Sequence, residues 1–128
     1  MKMESVLLAL ALTAAPWAAV ARSPAASEPE PISPERAREL LSAGAIALDV
    51  RTADEYADGH LPAAVLLPYD EITAASAART LPSLDTPAVV YCRSGRRSAI
   101  AVASLRRLGY TRVYDLGGIN RWPYETER

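Results

Sequence analysis

The chain has 128 residues, half of them hydrophobic, and a formal net charge of −1 from 14 basic and 15 acidic residues. That length suits one domain with enough core to fold alone and leaves little room for a second. The near-neutral balance excludes a general nucleic-acid binder, which needs a basic face; the arginines gather instead beside the single cysteine, in the last third of the chain.

The first residues read as an export signal. Met1–Ser5 is short and weakly basic, the apolar run VLLALALTAA follows from Val6 to Ala15, Pro16 and Trp17 break it, and Ala19-Val20-Ala21 supplies a small-x-small cleavage pattern. The run is too short to span a bilayer as a helix, which takes about 20 apolar residues. No cysteine follows the run and no Arg-Arg pair precedes it. Residues 1–21 are therefore expected to be a cleaved signal peptide and the mature protein periplasmic, free of the membrane; an uncleaved anchor is the alternative. Residues 22–31, rich in Pro, Ser, Ala and Glu, are expected to form a flexible tether, and residues 32–128 the domain. One cysteine in an exported chain cannot form an internal disulfide, so the Cys92 thiol is either buried and inert or reactive.

Helices and short apolar strands alternate through the rest. Ser33 can cap a helix with Pro34 at its first position and Leu40 and Leu41 on one face, ended by Gly44. AIALDV, Ala45 to Val50, has strand length. Thr52 caps a short helix with an acidic first turn, stopped near Gly59. AAVLLP, Ala63 to Pro68, reads as a strand, Asp70 to Thr80 as a helix capped by Asp70, and PAVVYC, Pro87 to Cys92, as a buried strand. A strong helix follows, with Ile100, Val102, Leu105 and Leu108 as its apolar side and Gly109 as its stop. Arg112 to Leu116 is the last strand, with Gly117 and Gly118 as turn positions after it. This alternation predicts an α/β domain with a central, mostly parallel sheet and helices on both faces.

Ligands of such sheets bind beyond the carboxyl ends of the strands, where Cys92 stands in the stretch VVYCRSGRRS. Ser94 and Gly95 let the backbone curl so that successive N–H groups point inward, and the next helix adds its positive end. Amide dipoles and the charges of Arg93, Arg96 and Arg97 favour the thiolate, the form that attacks. A structural cysteine packing as a small hydrophobe is the bland alternative, but it gives no reason for three arginines beside it. For one or two of the arginines a solvated position is the simpler reading, since so short a loop cannot aim every side chain inward.

Three ordered motifs resemble the rhodanese (thiosulfate sulfurtransferase) domains, over the span from about Ile32 to Trp122. They are LDVRTADEYADGHLPAA from Leu48 to Ala64, the cysteine loop, and YDLGGINRW from Tyr114 to Trp122. With its export signal and small size, the chain looks most like the small periplasmic rhodaneses of the phage-shock type. It departs from the family at Ala63, where glycine is usual; an alanine fits only at negative φ, so a small local adjustment of the backbone is expected there. The resemblance implies that Cys92 takes a sulfane sulfur from thiosulfate or another persulfide donor and passes it to a thiophilic acceptor such as cyanide or a thiol. It implies that the amides around Ser94 and Gly95 hold the persulfide and that Arg93, Arg96 and Arg97, Arg96 foremost, bind the anionic end of the donor. No metal or organic cofactor is implied.

Other polar residues have plainer readings. His60 is the only histidine, so it cannot found a metal cluster, and it is read as a structural hydrogen-bonding residue. Asp49 and Arg51 read as an internal charge pair, with Arg51 also a possible pocket residue. Asp54 and Glu55 read as the acidic first turn of a helix, and Trp122 as packing at the rim. Two rivals remain. A non-catalytic module could carry a persulfide or sense oxidants through Cys92. A phosphatase would need an arginine six positions after the cysteine, where this chain has Ser98.

Overall fold

The computed structural model describes residues 28–128. The expected signal peptide and all but the last four residues of the expected tether lie outside the described residues.

Local chemistry sets most of the elements. Helix α1, Pro34–Ser42, starts where the Ser33 hydroxyl accepts from the Arg36 amide at 3.0 Å, and Ala37 and Leu40 face inward. Strand β1 is Ile46–Asp49. Helix α2, Ala53–Asp58, opens on a reciprocal cap in which the Thr52 hydroxyl accepts from the Glu55 amide and the Glu55 carboxylate accepts from the Thr52 amide. Strand β2 is only Val65–Leu66, shorter than expected, because Pro68 brings no N–H to the ladder and the chain turns into a 3₁₀ segment, Tyr69–Glu71. Helix α3 is Ala74–Thr80, capped by Thr73 and not by Asp70: the Thr73 amide donates to the Ser76 hydroxyl at 2.8 Å and the Ser76 amide to the Thr73 hydroxyl at 3.0 Å. That box outcompetes a longer helix, since Ile72 and Thr73 are extended.

Strand β3, Ala88–Cys92, is buried throughout. Helix α4, Arg96–Arg107, turns Ser98, Ala101, Val102 and Leu105 inward, whereas Ile100, expected on that side, is 40% exposed. At about 100° per residue, positions 98, 101, 102 and 105 share one face and position 100 lies opposite. Strand β4, Val113–Gly118, takes in both glycines that were expected in a turn, and a 3₁₀ segment, Ile119–Arg121, follows.

All four strands are parallel, in the order β2-β1-β3-β4. Each face of the sheet buries its own cluster. Leu48, Val90, Cys92 and Val113 pack with Ala77 of α3, Leu81 just after it, and Ala101, Val102 and Leu105 of α4. Ala47, Val89, Tyr91, Tyr114 and Leu116 pack with Ala37 and Leu40 of α1 and with Leu61 and Ala64. Successive side chains of β3 thus alternate between layers, and each fully buried Leu or Val contributes about 1.5–3 kcal/mol. The segment before α1 lies along β4: the Ile32 amide donates to the Asp115 carbonyl, Glu28 pairs with Arg36 and Glu30 with Arg106.

Ala63 does not adopt negative φ; it sits at +60°, in the left-handed region. The adjustment expected from the sequence is overturned, because the tight turn between α2 and β2 holds its backbone. The amide of Ala63 donates to the Glu127 carboxylate at 3.0 Å, and the backbones of His60 and Glu127 bond to each other. Left-handed φ costs an alanine about 1–2 kcal/mol.

Candidate active site

The sheet order changes direction between β1 and β3: β1 continues to β2 on one side and β3 to β4 on the other. Crevices at such points take ligands beyond the carboxyl ends of the strands. Cys92, the last residue of β3, ends there, on the face covered by α4.

The backbone after Cys92 folds back over its sulfur. Gly95 takes φ +121°, which only glycine adopts freely, and its amide donates to Cys92 Sγ at 3.0 Å. The neighbouring amides of Ser94 and Ser98 and the Ser98 side chain add to the environment that favours the ionised sulfur. Burial raises the thiol pKa, but these donors outweigh it and the thiol lies below its ordinary value. Helix α4 starts at Arg96 without a side-chain cap, so its positive end faces the same space. Cys92 itself is only 1% exposed, whereas Arg93, Ser94 and Arg96 are exposed around it. The result is a shielded thiol in a turn that carries exposed arginines.

Gly118 makes this turn possible. It stands opposite Cys92 in the β3–β4 register, and a methyl group there would come within 2.7 Å of Ser94 Cα and closer still to the Arg93 carbonyl. Asp115 supports the same end of β4: its carboxylate accepts from the Gly117 amide at 2.8 Å, and burial raises its pKa despite that bond and the nearby Ser98 hydroxyl. The sequence reading of Gly118 as a turn residue missed this close approach, although the paired glycines were its visible signal. Ser98 was likewise passed over; it is fully buried, and its hydroxyl donates to the Gly95 carbonyl at 3.1 Å.

The three loop arginines have different surroundings. Arg93 is exposed and has no carboxylate partner among the described residues. Arg96 is exposed, with its guanidinium 5.8 Å from the Tyr69 ring centre. Arg97 is held in a bidentate pair with Glu55, at 2.7 and 2.9 Å, and remains near enough to Cys92 for their charges to interact. This pairing, with help from Thr52 and against partial burial, holds the Glu55 carboxyl down to about 2. Glu55 therefore does more than supply negative charge to a helix start. The Thr-x-x-Glu spacing signalled its capping bond, but nothing local signalled Arg97, 42 residues away.

Asp49 and Arg51 form the internal pair expected. Arg51 donates from Nε and Nη2 to the Asp49 carboxylate at 2.7–3.1 Å, and from Nη2 to the Gly59 carbonyl at 2.7 Å. Tyr91 donates its hydroxyl to Asp49 at 2.7 Å and accepts from the Leu61 amide. With those donors engaged and 6% exposure, Arg51 braces the loops after β1 and α2. His60 stacks on Tyr56 at 3.7 Å and its Nδ1 meets the Tyr56 carbonyl at 2.8 Å. No group of His, Cys, Asp and Glu side chains that could hold a metal occurs among the described residues.

A single cysteine with a lowered thiol pKa, in an arginine-bearing turn at the switch point of a parallel sheet, sets the chain among α/β domains that carry one cysteine at the end of a central strand. Within that class the chain belongs to the rhodanese-like domain family, whose model matches residues 33–124. Curated relatives include the thiosulfate sulfurtransferase GlpE of Ectopseudomonas mendocina, 38% identical over 101 residues, covering 75% of this chain and 86% of the relative. The chloroplastic thiosulfate sulfurtransferase 16 of Arabidopsis thaliana is 34% identical, covering 73% of this chain and 87% of the relative. Among solved structures, a rhodanese with anions from E. coli superposes with a TM-score of 0.62 at 28% identity, over 66% of this chain and 99% of that one. The human single-domain sulfurtransferase TSTD1 also gives 0.62 at 28% identity, over 74% and 96% of the two chains.

Proposed function

We propose that the protein is a thiosulfate-type sulfurtransferase acting through a Cys92 persulfide. The observation that carries this reading is the Gly95 amide folded back onto the buried Cys92 Sγ at 3.0 Å, in a turn whose Arg93 and Arg96 are exposed. In the first half-reaction the Cys92 thiolate attacks the sulfane sulfur of thiosulfate. The S–S bond of the donor breaks, its electron pair leaves with sulfite, and the persulfide keeps the negative charge. In the second, an acceptor such as cyanide or a thiolate attacks the terminal sulfur, and the pair from that bond returns to Cys92. The donors that lower the Cys92 thiol pKa favour the thiolate, so the reaction calls on no separate base, and no outside oxidant or reductant enters.

The cup suits this chemistry better than phosphoryl transfer. The position that would hold a phosphatase arginine is Ser98, which is buried and bonded inward. Two-substrate kinetics with thiosulfate and cyanide should give parallel ping-pong lines, and Cys92→Ser should lose turnover while melting like the wild type. Reversible oxidation of Cys92 without turnover on any sulfane donor would make the protein a binding or sensing module instead.

We also propose that residues 1–21 are removed on export and that the domain works in the periplasm, on the strength of the Val6–Ala15 run and the Ala19-Val20-Ala21 pattern. Sequencing the N-terminus of protein recovered from the periplasm should find Arg22 first. A membrane-bound product that keeps Met1 would refute it.

A further inference from the structure

Of the three arginines that follow Cys92, one is already neutralised. Both terminal nitrogens of Arg97 are bound by the Glu55 carboxylate, which comes from α2 across the site. Both side chains are largely enclosed, at 18% and 26% exposure, so water screens the pair weakly. Glu55 is itself fixed, because its Oε1 also accepts from the amide and the hydroxyl of Thr52 at 3.1 Å. Arg93 and Arg96 have no such partner among the described residues.

We propose that Glu55 is a specificity-determining positioning residue: by holding Arg97 it subtracts one positive charge from the mouth of the Cys92 site and so sets how strongly the site prefers anionic over neutral reactants. A rhodanese-type site has to serve a doubly charged donor and also release a doubly charged product and admit acceptors of lower charge. A third uncompensated arginine would favour binding of the dianions at the expense of sulfite release. The Glu55–Arg97 pair holds Arg97 in the first turn of α4 without adding that charge.

The inference rests on reading the loop as an anion site, and its test does not depend on sulfur transfer. The rates at which iodoacetate, an anion, and iodoacetamide, its neutral counterpart, alkylate Cys92 are measured in the full domain, and their ratio is taken. The ratio cancels changes in thiolate fraction or in general accessibility, which a merely structural role would alter. Glu55→Gln keeps the size of the side chain and an oxygen for Thr52; it should raise the ratio about three- to tenfold through the uncovered Arg97 charge. Arg97→Gln, which leaves the carboxylate uncovered, should lower the ratio by a similar factor. The double variant Glu55→Gln/Arg97→Gln should return close to wild type, as the sum of charges does. These shifts support the inference even should thiosulfate prove not to be the donor. An unchanged ratio in both single variants, or a double variant no nearer to wild type than the singles, overturns it.

Discussion

Replacing Gly118 by Ala tests whether the shape of the cysteine loop, and not merely its residues, makes the site reactive. Gly118 has φ −100° and ψ 142°, a conformation open to any residue, so the substitution introduces no backbone strain of its own. Its added methyl would instead meet Ser94 Cα at 2.7 Å, the Arg93 carbonyl oxygen closer still, and the Asn120 side chain. Asn120 can rotate away, but the two loop atoms are backbone and must shift. A displacement of the loop loosens the 3.0 Å bond from the Gly95 amide to Cys92 Sγ. A hydrogen bond to a charged group contributes about 1.5–3 kcal/mol, so kcat/KM for thiosulfate should fall roughly ten- to a hundredfold. Overpacking of this kind costs about 1–3 kcal/mol of stability, or a melting point lower by about 4–8 °C per kcal/mol in a domain of this size. Coupled thiosulfate–cyanide kinetics and a thermal melt on the same sample measure both. Near-wild-type turnover together with an unchanged melt would refute the claim that the loop rests on Gly118.

Other perturbations read other parts of the account. Ala63→Gly should raise stability by about 0.5–1 kcal/mol, the relief of left-handed strain less the entropy glycine adds to the unfolded chain, seen as a melt higher by several degrees. Arg96→Ala should weaken use of thiosulfate by about one to two orders of magnitude while affecting the cyanide half-reaction less, and added salt should weaken wild-type thiosulfate use; equal losses in both half-reactions would assign Arg96 to holding the loop. The Glu55 carboxyl is depressed from its ordinary 4.5 to about 2 by Arg97, so the pair stabilises the fold above about pH 4.5 and that stability is lost as pH falls toward 2. Chemical denaturation across that window should show a steeper loss in wild type than in Glu55→Gln; identical profiles would mean that the pair contributes nothing to folding.

What the sequence made legible was whatever depends on neighbours along the chain. The unbroken apolar run ending at Cys92 announced a buried parallel strand, Ser33 and Thr52 announced their caps, and Ser94-Gly95 announced a backbone curled over the sulfur. Legibility failed where distant residues decide. Thr73 and Ser76 form a box that a reader drawn to Asp70 passes over, and Ile100 reads as core until the phase of α4 is fixed by Ser98, Ala101 and Leu105. The positive φ of Ala63 follows from a turn tied down by Glu127, far along the chain. In the candidate site, the turn that brings the Gly95 amide back to Cys92 could be read from a glycine placed three residues after the cysteine at a strand end. The division of labour among Arg93, Arg96 and Arg97 could not, because it is set by Glu55 reaching across from another helix. Gly118 was visible as a glycine but not as the surface on which the loop rests.

The central claim is that Cys92 carries the transferred sulfur. Intact-mass spectrometry of the purified protein, before and after brief exposure to thiosulfate and again after cyanide, tests it most directly. The account predicts that the wild type gains the mass of one sulfur atom at Cys92, releases one equivalent of sulfite as it does so, and returns to its starting mass with cyanide, while Cys92→Ser gains nothing. A wild-type mass unchanged by any sulfane donor, or a sulfur adduct that persists in Cys92→Ser, would contradict it.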